Sequence, residues 1–215
     1  MYAGHFAAVP VIRNYYPNVS PFTLTFGVIF LDLAFAALTF LGFEGFMLNP
    51  HAGDLGVDIH CKYSHSLLGS IVLSVIYGTV TGSFTPAFLA SLSHFVGDWL
   101  VHNLDLPLDP FSGIMVGGTS IWGNYPTFAY YFELLFCVVL GLFGPNDGTK
   151  LYFILCTALL HLTSHDISKN LLVKILSMPS EFDRQKYTAL TISSSFIIPA
   201  ILLGYLIRKT KVKAN

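Results

Sequence analysis

The chain has 215 residues, of which 53% are hydrophobic and only 11% are charged. Soluble domains usually carry about 25% charged residues, so this composition argues against an ordinary soluble domain and favours a membrane protein. The net charge of −1 indicates no basic surface, which excludes nucleic acid as an expected partner.

The apolar residues occur in long runs separated by polar residues, and this pattern predicts an all-α fold. We expect a polytopic transmembrane helix bundle of about six spans that forms a single integral-membrane domain over residues 1–215. Most runs are close to the length of about 20 residues that a bilayer requires. The predicted spans cover residues 22–43, 65–82, 84–102, 127–144, 150–165 and 188–207.

Three of these runs contain an acidic residue in otherwise apolar sequence: Asp32, Asp98 and Glu133. An ionisable side chain at membrane depth costs a few kcal/mol unless it is paired, hydrated or bound to a metal. A single acid would be explained by hydrogen bonds between helices. Three acids together with several histidines favour a shared polar site.

The second predicted span opens with KYSHSLLGS, residues 62–70. Ser64 is placed to cap the helix. His65 then either points into the polar site or lies at the membrane interface without a ligand.

The third predicted span ends in SLSHFVGDWLVH, where His94, Asp98 and His102 are four residues apart. On a helix they form a stripe about 12 Å long, too long for all three to bind one metal at about 2 Å. The stripe fits a dinuclear centre with ions about 3.5–4 Å apart, in which His94 and Asp98 bind one ion and Asp98 or His102 reaches the other. Alternatively, the two histidines only hydrogen-bond to Asp98.

Ligands from other helices must complete such a centre. His65 and Asp32 are the best candidates, followed by Glu133. The sequence HLTSHD adds the pair His161 and His165, whose HxxxH spacing suits one metal ion. Mixed imidazole and carboxylate ligands indicate a divalent transition metal, zinc first and iron or manganese as alternatives.

The six-span topology predicts which groups face the same side of the membrane. The ends that carry His65, His102 and His165 lie on one side, and Glu133 lies close to that side. The early part of the polar segment 166–187 is ISKNLLVKIL, whose spacing predicts a short interfacial amphipathic helix.

Several motifs resemble one family of small multi-spanning proteins, the membrane-bound metal-dependent hydrolases of the YdjM-like group. The resemblance covers about residues 1–140. The motifs are Ala-Gly-His at 3–5, Asp32, Tyr-Ser-His-Ser-Leu at 63–67, Ser-His-x-x-x-Asp-x-x-Val-His at 93–102, Asp-Leu-Pro-Leu at 105–108, Trp122 and Glu133. The order of histidines and acids is also similar to that of zinc-dependent phospholipase C and P1 nuclease. The family resemblance implies that His5 is a metal ligand, whereas the six-span topology places residues 1–13 on the opposite side unless they re-enter the membrane.

These features predict a multi-pass integral-membrane hydrolase that uses a metal-bound water as the nucleophile. Asp98 or Glu133 is the predicted general base. A site at membrane depth near one face suits a lipid-like or prenyl-type phosphoester, and membrane lipids are the expected partners.

Two other functions fit the same residues. A di-iron membrane oxidoreductase of the desaturase or hydroxylase type would use similar ligands, although the sequence lacks HxxHH clusters. A cation or proton transporter would also line a helix bundle with acids and histidines, although the other half of the predicted spans is nearly uncharged.

Overall fold

The computed structural model describes residues 1–49, 56–145 and 149–208, without the side chains of residues 165, 166, 168 and 208. The protein is mostly helical (68%), and its described part also contains one two-stranded sheet. The helices are α1 (Ala3–Phe6), α2 (Ala8–Tyr15), α3 (Pro21–Gly27), α4 (Phe30–Phe40), α5 (Leu67–Val80), α6 (Phe84–Trp99), α7 (Ile121–Asn124), α8 (Pro126–Leu142), α9 (Thr149–Leu176) and α10 (Glu181–Arg208), and the strands are β1 (Gly45–Leu48) and β2 (Val57–His60).

Local sequence explains where several helices begin and end. The Ser66 side chain caps α5 by accepting a hydrogen bond of 3.1 Å from the Gly69 N–H. Pro21 and Pro126 lie in the first turns of α3 and α8, where the missing N–H costs nothing. Gly82, at φ +67°, makes the tight turn between α5 and α6.

The strands form an antiparallel hairpin between α4 and α5, and the sequence pattern did not indicate it. Gly45 pairs with His60, and Leu48 pairs with Val57. Both strands are only four residues long, so they add little sheet to a helical fold. Their effect is to bring the segment before α5 back to the end of α4.

The helices pack so that α6 contacts α5 and α3, while α10 covers α3 and α4. The short helix α1 is buried against α6, α8 and α9. A Cβ atom on Gly27 would lie 2.7 Å from the Cβ of Ala90, so the absent side chain lets α3 approach α6 closely. Helices α1, α3, α4 and α5 therefore all contact α6.

The prediction of about six membrane spans is wrong. Within the described ranges, α10 is the one helix long and apolar enough to cross a membrane, and α3 with α4 adds a second candidate only if this pair, bent by 50°, counts as one span. Helix α5 has 14 residues and α8 has 17. At about 1.5 Å per residue they reach about 21 and 26 Å, short of a hydrocarbon core of about 30 Å.

The error has a physical cause, because hydropathy does not distinguish a membrane-crossing run from one that forms a shorter, packed helix. The first predicted span breaks between α3 and α4, and the second and third become α5 and α6. The segment 166–176, predicted to begin an interfacial helix, instead continues α9. The predicted placement of His65, His102 and His165 at one membrane face depended on six spans and is withdrawn with them.

Candidate metal centre

Five side chains that the sequence nominated as metal ligands meet at the contact of four segments. His5 comes from α1, Asp32 from α4, His65 from the segment before α5, and His94 and Asp98 from α6. All five are buried. Their ligand atoms form two overlapping groups, each with every atom within 4.8 Å of the others: His5, His94 and Asp98 in one, and Asp32, His65 and His94 in the other.

Distances among four of these residues match the shell of one ion. His65 Nε2 lies 3.1 Å from His94 Nε2, and Asp98 Oδ2 lies 3.3 Å from His94 Nε2 and 3.6 Å from His65 Nε2. Asp32 Oδ1 lies 3.7 Å from His65 Nε2, and its Oδ2 lies 3.5 Å from His94 Nε2. A tetrahedral ion with bonds of about 2.0–2.1 Å separates its ligand atoms by about 3.3–3.4 Å. The arrangement can therefore hold one transition metal ion.

Hydrogen bonds on the far side of each ring define its tautomer. His94 Nδ1 lies 2.7 Å from the carbonyl oxygen of Val28, which only accepts, so Nδ1 carries the proton. His65 Nδ1 lies 2.7 Å from Ser64 Oγ, and the Ser64 hydroxyl donates to Glu44 Oε2 at 2.7 Å. When both rings are neutral, their Nε2 lone pairs face each other beside two carboxylates. The positive charge that balances such a cluster comes from a ring proton, a metal ion or the amino group of Met1, which contacts Asp98.

His5 extends the cluster on the other side of His94. The two rings stack with centroids 3.6 Å apart and planes 8° apart, and His5 Nε2 lies 3.2 Å from Asp98 Oδ1. The amino group of Met1 also contacts Asp98 Oδ1. Burial, with a further contribution from His94, lowers the pKa of His5 to about 3, so its ring is neutral. A Cβ atom on Gly97 would lie 3.3 Å from His5 Nδ1, so this glycine leaves room for the ring.

Several polar atoms of the cluster are buried without a hydrogen-bond partner. They include both ring nitrogens of His5 and Oδ2 of Asp32. Leaving such an atom unpaired costs about 1–3 kcal/mol. Burial also lowers the pKa of His65 well below its usual value, which keeps that ring neutral as metal binding requires.

Glu133, predicted as a general base or ligand, lies beside the cluster but outside both groups of ligand atoms. Its Oε1 accepts hydrogen bonds from the backbone N–H groups of Tyr2 at 2.6 Å and Gly4 at 2.9 Å. Its Oε2 lies 3.7 Å from His161 Nδ1. The carboxylate thus holds the beginning of α1, the helix that carries His5.

His102 also lies outside both groups. It follows the end of α6, where its Nδ1 lies 2.8 Å from Asp105 Oδ1. Of the three residues in the predicted stripe, His94 and Asp98 therefore belong to the cluster, whereas His102 contacts the loop that follows α6.

His161, the described member of the HxxxH pair in the fifth predicted span, does not enter either group. His161 Nε2 lies 2.9 Å from the carbonyl oxygen of Tyr130, so this histidine connects α9 to α8. His165 belongs to α9, and its side chain lies outside the described part of the chain.

Sequence reasoning missed the role of two residues. Ser64 was expected to cap α5, but Ser66 makes that cap, and Ser64 instead bonds to His65. Glu44 was not singled out at all. The available signal was an isolated acid within the apolar stretch FLGFEGFML, the same signal that drew attention to Asp32.

Comparison of the chain with family models, with curated proteins and with solved structures finds no match in any of the three. The resemblance to the membrane-bound metal-dependent hydrolases therefore stays a prediction. The function has to be inferred from the side chains of the cluster.

Proposed function

We propose that the protein is a metal-dependent hydrolase. The supporting observation is the convergence of two imidazole lone pairs and two carboxylates at 3.1–3.7 Å in a buried place. Without a cation among them, these atoms would face one another away from water, with the Met1 amino group on the other oxygen of Asp98 as a neighbouring positive charge, which is costly. The proposed ligands are Asp32, His65, His94 and Asp98.

The donor set favours zinc, with iron or manganese as alternatives. A bound transition metal supplies a Lewis acid that lowers the pKa of a coordinated water toward neutrality. Asp98 turns Oδ2 toward His65 and His94 and Oδ1 toward His5 and the Met1 amino group, which suits its proposed role as a ligand. His5, His94 and Asp98 form the second group of ligand atoms. Since that group shares His94 and Asp98 with the proposed shell, the spacing supports one ion more directly than two.

A membrane location and a lipid-like phosphoester substrate belong to the same proposal. Helix α10 is long and apolar enough to span a bilayer. Helix α8 exposes Phe128, Tyr131, Leu135 and Leu142, which recur at helical spacing and form an apolar face. Exposed apolar faces of this kind make favourable contacts with the acyl chains of lipids. A substrate with its tail among the lipids would then present its head group to the metal.

Metal analysis of the detergent-purified full chain tests the proposal. We expect about one equivalent of zinc in the wild type and at least about tenfold weaker zinc binding in His94→Ala and Asp98→Ala, because each variant removes a ligand. His60→Ala is the matched control, since His60 is exposed on β2.

Two results would contradict the proposal. The first is wild-type metal content at background after equilibration with zinc, manganese and iron. The second is loss of metal from His60→Ala to the same extent as from His94→Ala. Two equivalents of iron without zinc would instead favour oxidation chemistry.

A further inference from the structure

A chain of hydrogen-bonded side chains leads away from the proposed metal shell. His65 Nδ1 lies 2.7 Å from Ser64 Oγ, which lies 2.7 Å from Glu44 Oε2. The other carboxylate oxygen, Glu44 Oε1, accepts from the backbone N–H groups of Tyr63 at 2.6 Å and Ser64 at 2.9 Å. The three side chains that form this hydrogen-bonded series, Glu44, Ser64 and His65, are all buried.

The direction of these bonds follows from the donors and acceptors present. An ionised carboxylate only accepts, so the Ser64 hydroxyl donates to Glu44. The remaining lone pairs of Ser64 Oγ accept from His65 Nδ1–H. A neutral imidazole protonated at Nδ1 has its lone pair on Nε2, the atom that lies 3.1 Å from His94 Nε2.

His94, the second histidine of the proposed shell, also carries a proton on Nδ1, but its partner there is a backbone group. His94 Nδ1 lies 2.7 Å from the backbone carbonyl of Val28, an acceptor that no side-chain substitution removes. His65 has a side-chain pair in the equivalent position, so its tautomer depends on the identity of residues 44 and 64.

We propose that Glu44 and Ser64 are positioning residues that fix the tautomer and ring orientation of His65 for metal binding. The part that concerns metal affinity rests on the proposed function, whereas the part that concerns the tautomer does not. Partners of this kind around metal-binding histidines contribute about 10–100-fold to metal affinity.

Glu44→Gln is the sharpest test because it is nearly isosteric. A glutamine has a single carbonyl oxygen, which the Tyr63 and Ser64 N–H groups would retain, and its NH₂ group would then donate to Ser64 Oγ. The Ser64 hydroxyl would turn to donate to His65 Nδ1. We therefore expect the proton of His65 to move to Nε2, the atom proposed to bind the metal.

Two further variants separate positioning from a general loss of stability. Ser64→Ala removes the bond to His65 and leaves Glu44 Oε1 with its two backbone donors. Ser66→Ala is the matched control, because Ser66 lies in the same segment and caps α5 through the Gly69 N–H. Its loss costs about 1 kcal/mol of stability without touching the ring.

The first measurement is ¹⁵N NMR of histidine-labelled, metal-free full chain in detergent, with the His65 signals assigned from a His65→Ala variant. We expect Nδ1–H in the wild type and in Ser66→Ala, Nε2–H in Glu44→Gln, and a mixture in Ser64→Ala. The second measurement is zinc affinity, which we expect to fall by about 10–100-fold in Glu44→Gln and Ser64→Ala and to remain within about threefold in Ser66→Ala.

The outcomes distinguish the two proposals. Wild-type His65 protonated at Nε2, or an unchanged tautomer in Glu44→Gln, would overturn the positioning role even if zinc binds. Equal zinc affinity in Glu44→Gln and wild type would overturn it as well. If the variants show the expected tautomer changes but the wild type binds no metal, the positioning role is supported and only the metal function is overturned.

Discussion

The acids of this protein differ in what they contact, and the contacts separate residues of the cluster from residues that only join neighbouring segments. Asp98 faces three histidines, through both of its oxygens. Asp105 has a single such contact, to His102, and its side chain is about half exposed. We therefore expect Asp98 to affect the proposed metal binding and Asp105 to affect local stability only.

The pH dependence of stability tests this distinction at Asp105. Burial alone would raise the pKa of Asp105, but the hydrogen bond and the charge of His102 outweigh it and lower the pKa. A carboxyl with a lowered folded pKa contributes stability above its unfolded pKa of about 3.9 and loses it as the pH falls through the folded value. Because the side chain is partly screened by solvent, we expect Asp105→Asn to cost less than about 1 kcal/mol at pH 7 and to match the wild type near pH 2. Thermal unfolding in detergent at both pH values measures this, and an equal loss at the two pH values would refute it.

Helix α6 is the element on which the cluster depends most, since it carries both His94 and Asp98 and packs on α3 and α5. Its distance from α3 is set by Gly27, which faces Ala90 one turn before His94. Val28 directly follows the end of α3, and its carbonyl oxygen holds the His94 ring by a contact with Nδ1. Packing at this contact therefore positions a ligand as well as stabilising the fold.

Gly27→Ala tests the role of that contact. The new Cβ atom would lie 2.7 Å from the Cβ of Ala90, so the two helices must separate. We expect a loss of about 1–3 kcal/mol in unfolding free energy from overpacking and weaker zinc binding. Combining it with Ala90→Gly removes the closest contact and leaves the one with Tyr77 Cε1 at 3.0 Å, so it should recover part of the stability, which a double-mutant cycle of unfolding measurements would reveal. Additive losses in the double variant would show that this contact does not set the helix spacing.

At the scale of the whole molecule, the distribution of apolar residues determines where the protein resides. Helix α10 passes the length and hydropathy requirements for a membrane span. Large hydrophobic side chains are also exposed on α5, α8 and α9. Helices α5 and α8 are short for a span, and the apolar part of α9 covers only Thr149–Ser164, so under the proposed membrane location their outer faces would make partial contact with lipid.

Membrane integration can be tested by fractionation of cells that express the full chain. We expect the protein to remain with membranes after alkaline carbonate extraction. A lysine in place of Ile198, which is exposed near the middle of α10, should increase the fraction released, because a charge at the centre of a span costs about 2.5–3.5 kcal/mol. A lysine in place of Tyr15, exposed on α2, is the control. Complete release of the wild type by carbonate would contradict a membrane-integrated protein.

Some of the candidate site could be predicted from the sequence because the relevant physics is local. The spacing of His94 and Asp98 places both on one face of any helix. Asp32 and His65 stood out because a polar side chain within an apolar run must find a partner wherever that run is buried. Neither inference needs to know how the helices are arranged.

The remainder depended on tertiary structure. Hydropathy predicted apolar helices but not their lengths or the bend between α3 and α4, so about six spans became one or two candidates. The contact of His5 with Asp98 and the bond from Ser64 to Glu44 join residues far apart in the chain. The separation of His102 from the cluster depends on the path of the loop that follows α6. Such contacts depend on how the helices pack against one another. The local pattern of residues in one sequence does not predict that packing.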